Sequence, residues 1–188
     1  MRIPYEKAIE NLDLLTNLCS FDPIVIGTPP LGIDVSNSDI DIACYCDDLE
    51  RFAGFATRQF ESQDGFQIRH GTFQNHESII VQFNAFEWDV EIFCQPTPTI
   101  KQWGVRHFRV EQRLLALSPS LKSTVTELKR SGLKTEPAFA KALGLSGEPY
   151  VAILGLEQTD DRELLALTAT CKSLAACTTS PLGDRLQP

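Results

Sequence analysis

An α+β fold, with a sheet in the first half of the chain and helices in the second, is what this sequence predicts. Three observations carry the prediction. Residues 23–28, 38–46, 66–74, 77–85 and 87–94 alternate or run apolar at strand length. From Thr99 onward apolar residues recur at three- and four-residue spacing, punctuated by Ser118-Pro119, Gly132, Gly144 and Pro149. No segment repeats at a fixed period, which excludes a solenoid or propeller.

The elements follow in order. Residues 4–19 read as one helix, with Pro4 in its first turn and Ala8, Ile9, Leu12, Leu15 and Leu18 as its apolar stripe. The apolar run Pro23–Ile26 leads into Gly27-Thr28, and a turn-rich loop leads on to the strand 38–46. Asp47-Asp48-Leu49-Glu50 reads as a capping box, Asp47 the cap and Glu50 three later, opening a helix to about Phe60. Asn75-His76 is the expected hairpin turn, and Asn84-Ala85 the weaker break before the last strand. Helices are then expected over Thr99–Leu117, from Ser120 to about Arg130, from Thr135 to Gly144, and from Glu148-Pro149. A last one runs from about Thr159 to Cys177. The expected organisation is an α/β core over 1–98, a helical region over 99–177 and a tail over 178–188.

Composition narrows the function. The chain has 188 residues, 43% of them hydrophobic, enough for one cored domain or one domain with a helical appendage. A net charge of −8 argues against an extended nucleic-acid surface, which needs a basic face, but is compatible with a small phosphorylated substrate whose charge a metal neutralises. No run approaches about 18 apolar residues and the N-terminus lacks an apolar signal core, so no membrane partner is expected. The six cysteines are expected as reduced thiols in the cytoplasm.

The chemistry concentrates at Ser38-Asp39-Ile40-Asp41-Ile42. In a strand alternate side chains share a face, so Asp39 and Asp41 point the same way, about 7 Å apart along the backbone. Paired carboxylates repel unless a cation lies between them, which points to a divalent metal site. A third acid is available on Trp88-Asp89-Val90-Glu91-Ile92-Phe93, where Asp89 and Glu91 share one face; spacing alone does not choose between them. Three carboxylates holding Mg²⁺ (or Mn²⁺) form a clamp for in-line phosphoryl or nucleotidyl displacement, and one of them can take the proton of an attacking hydroxyl.

These residues carry a resemblance. Gly27-Thr28, the second glycine at Gly32, the Asp39-Ile40-Asp41 strand and an acid between apolar neighbours resemble the polymerase-beta-type nucleotidyltransferase superfamily. Within it the chain resembles the uncharacterised bacterial domain-of-unknown-function family 4269. The blocks are Ile26-Gly27-Thr28 with Leu31-Gly32-Ile33-Asp34, Glu91-Ile92-Phe93, Arg106-His107, Lys134 to Ala140, and Gly147-Glu148-Pro149-Tyr150, so the resemblance spans roughly residues 20–157. It implies a mixed sheet flanked by helices, a Mg²⁺ site and transfer of a nucleoside monophosphate from a nucleoside triphosphate to an acceptor hydroxyl. Carried over, Asp39, Asp41 and Glu91 are catalytic metal ligands, with Asp89 as the alternative third acid. Gly27, Thr28 and Ser38 form the nucleotide-contacting turn. Arg106 and Lys134 are further nucleotide-binding candidates, and His107 is a candidate beside Arg106.

Two departures bear on activity. Many active relatives place an arginine just before the second glycine, where this chain has Leu31, and Pro29-Pro30 removes two backbone N–H donors from the phosphate turn. The alternative function is therefore a catalytically inactive nucleotide- or partner-binding module of the same fold, including an antitoxin-like role. Elsewhere the bland readings stand. Cys44, Cys46 and Cys94 fall on the face opposite the aspartates and read as core residues, not zinc ligands. Gln102, Arg106, Arg109 and Arg113 form one polar stripe of the helix 99–117, with Trp103, His107, Val110 and Leu114 on its apolar face.

Overall fold

The computed structural model describes residues 2–177; the expected tail, 178–188, lies outside the described residues. Two compact units make up the chain, Met1–Val110 and Glu111–Pro188.

The first unit begins with α1 (Tyr5–Asn11) and α2 (Leu14–Asn17) in place of the single helix expected over 4–19. The break is at Asp13, which sits in the left-handed region with φ 49°. That residue shifts the helical register, so Leu14 is buried and Leu15, expected in the stripe, is exposed. Pro4 is the N-cap and not a first-turn residue. Next come β1 (Ile24–Ile26), a single turn α3 (Thr28–Leu31), β2 (Ile40–Tyr45) and α4 (Leu49–Phe60). Asp48, not Asp47, caps α4, its carboxylate accepting from the Arg51 N–H at 2.9 Å.

Three long strands follow, β3 (Asp64–Phe73), β4 (His76–Ala85) and β5 (Trp88–Gln95). The hairpin turns are Gln74-Asn75 and Phe86-Glu87, one or two residues from the expected places. Both residues of each turn have positive φ, 48° and 64° in the first, 54° and 63° in the second. That is the primed geometry whose twist matches antiparallel strands. Phe86 and Glu87 are poor left-handed residues, so nothing in their identity announces the turn.

The sheet order is β1-β2-β5-β4-β3, with β2 and β5 parallel and every other pair antiparallel. One face carries the core. Ile40, Ile42, Cys44, Val90, Ile92, Cys94, Ile79 and Val81 pack there with Phe52, Ala56 and Phe60 of α4 and with Ala8, Leu14 and Leu18. Phe52 meets Phe21 edge to face at 5.1 Å, and Phe60 stacks on Phe83 at 5.2 Å. The three thiols lie in this core as the strand alternation predicts. Burial pushes the Cys44 thiol up to about 12 and the Cys94 thiol well above its ordinary range, so both are held protonated.

After a 3₁₀ turn at Thr99–Lys101, α5 (Trp103–Leu117) starts, later than the Thr99 expected, because Gln102 is extended with φ −68° and ψ 144°. Gln102 is buried, not part of a solvated stripe; its Nε2 donates to the carbonyls of Cys44 at 2.7 Å and Thr97 at 2.9 Å.

In the second unit, α6 (Leu121–Arg130), α7 (Thr135–Leu143), α8 (Pro149–Leu154) and α9 (Asp161–Cys177) follow the predicted helices closely. The buried α7 residues Ala138, Phe139, Ala140, Ala142 and Leu143 pack this helix against α6, α8 and α9. Gly144 closes α7 in the left-handed conformation, and Glu148 caps α8 by accepting from the Val151 N–H at 2.8 Å. Among the described residues no helix is long and apolar enough to cross a membrane.

Candidate functional site

The face of the sheet opposite the core carries the acids. Asp41 on β2 and Glu91 on β5 are register partners on adjacent parallel strands, flanked by the pairs Ile40–Val90 and Ile42–Ile92. Neighbouring strands run about 4.8 Å apart, so the two carboxylates leave the sheet side by side. The row continues in both directions: Ile26 pairs with Asp41, Gln82 with Glu91, and Gln67 with Gln82. Asp39 lies two residues before Asp41, at the mouth of the strand, and is exposed. Asp39, Asp89 and Glu91 line one cleft of about 270 Å³ together with Gln67, Gln82 and Asn84. Both third-acid candidates are therefore in the cleft, and Glu91 is the one in register with Asp41.

The turn after β1 shapes the space around Asp41. Gly27 has φ 82° and ψ −164°, a combination only glycine adopts readily. A Cβ there would collide with Asp41 Oδ2 and lie 3.2 Å from its Cγ, so the carboxylate rests directly against the Gly27 backbone. Pro29 and Pro30 fit into α3 because its first-turn amides have no helical partner.

Thr28 and Ser38 are buried and bonded to each other, the Thr28 hydroxyl donating to Ser38 Oγ at 2.9 Å. Ser38 Oγ also accepts from the Val35 N–H at 2.9 Å, which ties the loop before Asp39 to the turn after β1. Arg2 holds the same loop from the other side. Its guanidinium lies 3.2 Å from the Trp88 ring centre and donates to the carbonyls of Ser36, at 2.8 Å, and Ser38. Trp88 in turn donates to the Ile3 carbonyl at 2.9 Å.

The remaining candidates lie on α5 or just before α7. Arg106 is half-buried and Arg109 exposed on α5, and neither lines the 270 Å³ cleft. His107 is buried, edge-on to Trp103 at 5.9 Å, in the manner of a core histidine. Lys134 is the exposed residue preceding α7, in the second unit. Arg113 pairs with Asp161 within the second unit, at 2.7 Å from Nε.

The structure adds residues that sequence reasoning passes over. Gln82 donates to Glu91 at 2.7 Å; the only hint was one polar residue inside the apolar run Ile79-Ile80-Val81-Gln82-Phe83. Glu111, in the second unit, is buried with its Oε1 unbonded. Burial holds its carboxyl protonated well above the ordinary range, reinforced by Glu136 and opposed by Lys129. A raised acid lends its stability below about pH 4.3 and loses it as pH climbs toward the raised value. Glu111→Gln is therefore expected to melt higher than the parent at pH 8, with the gap closing toward pH 4.5. Calorimetric melts across that range check it.

The donor set suits a hard divalent cation. The ionisable groups lining the cleft are the carboxylates Asp39, Asp89 and Glu91, with no thiol or imidazole among the lining residues, and Mg²⁺ is held by one or two carboxylates while water and substrate phosphate fill its other positions. Asp41 and Glu91 meet that requirement by their register. Among the described residues no three His, Cys, Asp or Glu side chains converge closely enough to hold a metal ion by themselves.

A family model described as Domain of unknown function (DUF4269) matches residues 7–156. No curated protein matches the chain. Among solved structures, the Cid1 poly(U) polymerase with MgGTP bound aligns with a TM-score of 0.53 at 14% identity, over 80% of this chain and 47% of that one. A second Cid1 structure, described for its RNA terminal uridylyl transferase activity, aligns at 0.52 and 13%, over 79% and 46%. The GLD-2/RNP-8 complex aligns at 0.53 and 11%, over 97% of this chain and 72% of that one. The chain thus spans about half the length of the Cid1 proteins it matches. At these identities the likeness establishes the fold, which is that of the polymerase-beta-type nucleotidyltransferases.

Proposed function

The chain belongs to the DUF4269 family, and from that premise we propose a Mg²⁺-dependent nucleotidyltransferase that moves a nucleoside monophosphate from a nucleoside triphosphate to an acceptor hydroxyl. The observation that carries this reading is the register pairing of Asp41 with Glu91, with Asp41 seated against Gly27. Asp39, Asp41 and Glu91 would hold the cation, with Asp89 beside them as the alternative third acid. Bound Mg²⁺ supplies charge neutralisation and polarisation of the α-phosphate. The chain's own residues do the rest. Gly27, the nucleotide-contacting turn glycine, leaves room for the Asp41 carboxylate, and Ser38 and Thr28 fix the turn the triphosphate would lie against. A cleft carboxylate accepts the proton as the acceptor oxygen bonds to the α-phosphorus. The bond from that phosphorus to the bridging oxygen of the β-phosphate breaks, and pyrophosphate leaves. Arg106 belongs to the same proposal as a cationic contact for the triphosphate, and Lys134 stays a separate nucleotide-binding candidate of the second unit.

A second reading is favoured by one observation. Pro29 and Pro30 leave the turn two amide donors short, which suits a module that binds nucleotide or a partner without turnover. Incubation with each ribonucleoside triphosphate labelled at the α-phosphate, with Mg²⁺ or Mn²⁺ and a panel of small-molecule, protein and RNA acceptors, separates the two. Label on an acceptor with matching pyrophosphate supports transfer. Nucleotide bound without any turnover supports the module. A cytoplasmic setting is part of the same proposal.

A further inference from the structure

Glu91 is the end of a hydrogen-bonded chain that crosses three strands. Arg69 on β3 donates from its guanidinium to Gln82 Oε1 at 2.9 Å, and Gln82 Nε2 on β4 donates to Glu91 Oε2 at 2.7 Å. The direction of this chain is fixed by chemistry. A guanidinium only donates and an ionised carboxylate only accepts, so the carboxamide between them has one orientation that satisfies both. Gln82 is in register with Glu91, half-buried, and lines the same cleft. It commits Oε2 of Glu91 to the sheet and leaves Oε1 for a ligand.

We propose that Gln82 is a positioning residue that sets the Glu91 carboxylate for cation binding, with Arg69 locking the Gln82 amide. This rests on the reading of Asp41 and Glu91 as a metal site. Partners that orient a metal ligand typically contribute 10–100-fold in metal affinity. A side chain that merely fills the sheet surface would affect melting and leave the affinity alone.

The test is a calorimetric Mn²⁺ titration of the parent, Gln82→Met, Glu91→Gln and the double variant, with metal-free melting curves as the folding control. Gln82→Met keeps the length of the side chain and removes both hydrogen bonds. It is expected to weaken Mn²⁺ binding about 10–100-fold in the parent background and to add nothing in the Glu91→Gln background, because it acts through Glu91. Arg69→Met, at an exposed position, gives a smaller loss in the same direction and serves if Gln82→Met does not fold. Unchanged affinity in a folded Gln82→Met protein, or equal losses with and without Glu91, overturns the positioning role. The failure of the metal site itself looks different: the parent then binds no Mn²⁺, with or without nucleotide. Mn²⁺ bound by the parent, lost in Asp41→Asn and untouched by Gln82→Met overturns this inference alone.

Discussion

Asp41→Asn is expected to lower nucleotidyl transfer on the order of 10³-fold while leaving the melting temperature within a few degrees of the parent. The magnitude follows from charge. Losing several kcal/mol of transition-state stabilisation at about 1.4 kcal/mol per decade gives a loss of that size. Asn keeps the shape of Asp, so the contact with Gly27 survives and the loss is one of a cation ligand. The strand itself is insulated, because Ile40 and Ile42 on the other face do the packing. Rates measured by pyrophosphate release in Asp41→Asn and Asp39→Asn, alongside melts, check this. Asp39, exposed at the strand mouth, is expected to show the milder defect.

Gly27→Ala is the second large effect, and it acts through the same carboxylate. The new Cβ meets Asp41 Oδ2, and the residue is forced to hold φ 82° with ψ −164°. Backbone strain of this kind costs about 1–3 kcal/mol, and displacing Asp41 removes it from its place beside Glu91. Gly27→Ala should therefore both melt lower and lose cation binding. The two losses come apart in a double variant. Asp41→Ala makes room for the new methyl, so Gly27→Ala is expected to destabilise less in that background than in the parent, while cation binding stays absent. Equal destabilisation in both backgrounds would show that the contact between Gly27 and Asp41 is not the cause.

What could be read from the sequence was whatever depends on neighbours along the chain. Strand alternation put Asp39 and Asp41 on one face and Cys44, Cys46 and Cys94 on the other, and the helices of the second unit were bounded by their glycines and prolines. Contacts that depend on register between distant strands could not be read this way. Gln82 reaches Glu91 only because β4 and β5 pair as they do, and Arg2 reaches the Ser38 carbonyl across 36 positions. Local surprises came from backbone conformation. Phe86 and Glu87 adopt positive φ without the residue types that favour it, which moved one turn, and Asp13, of a type that tolerates positive φ but sits inside a helical stripe, broke one helix. Gln102 was read as part of a solvated polar stripe, whereas packing buries it, and Glu111, which no pattern singled out, is buried too.

If Asp39 and Asp41 bring a divalent cation and a nucleotide together, isothermal titration of each nucleoside triphosphate with and without Mg²⁺ will register it. Nucleotide binding is expected to require the metal and to disappear in the Asp39→Asn, Asp41→Asn double variant. A folded parent protein that binds no nucleotide with or without metal, or nucleotide binding that survives the double substitution unchanged, overturns the role given to the two aspartates.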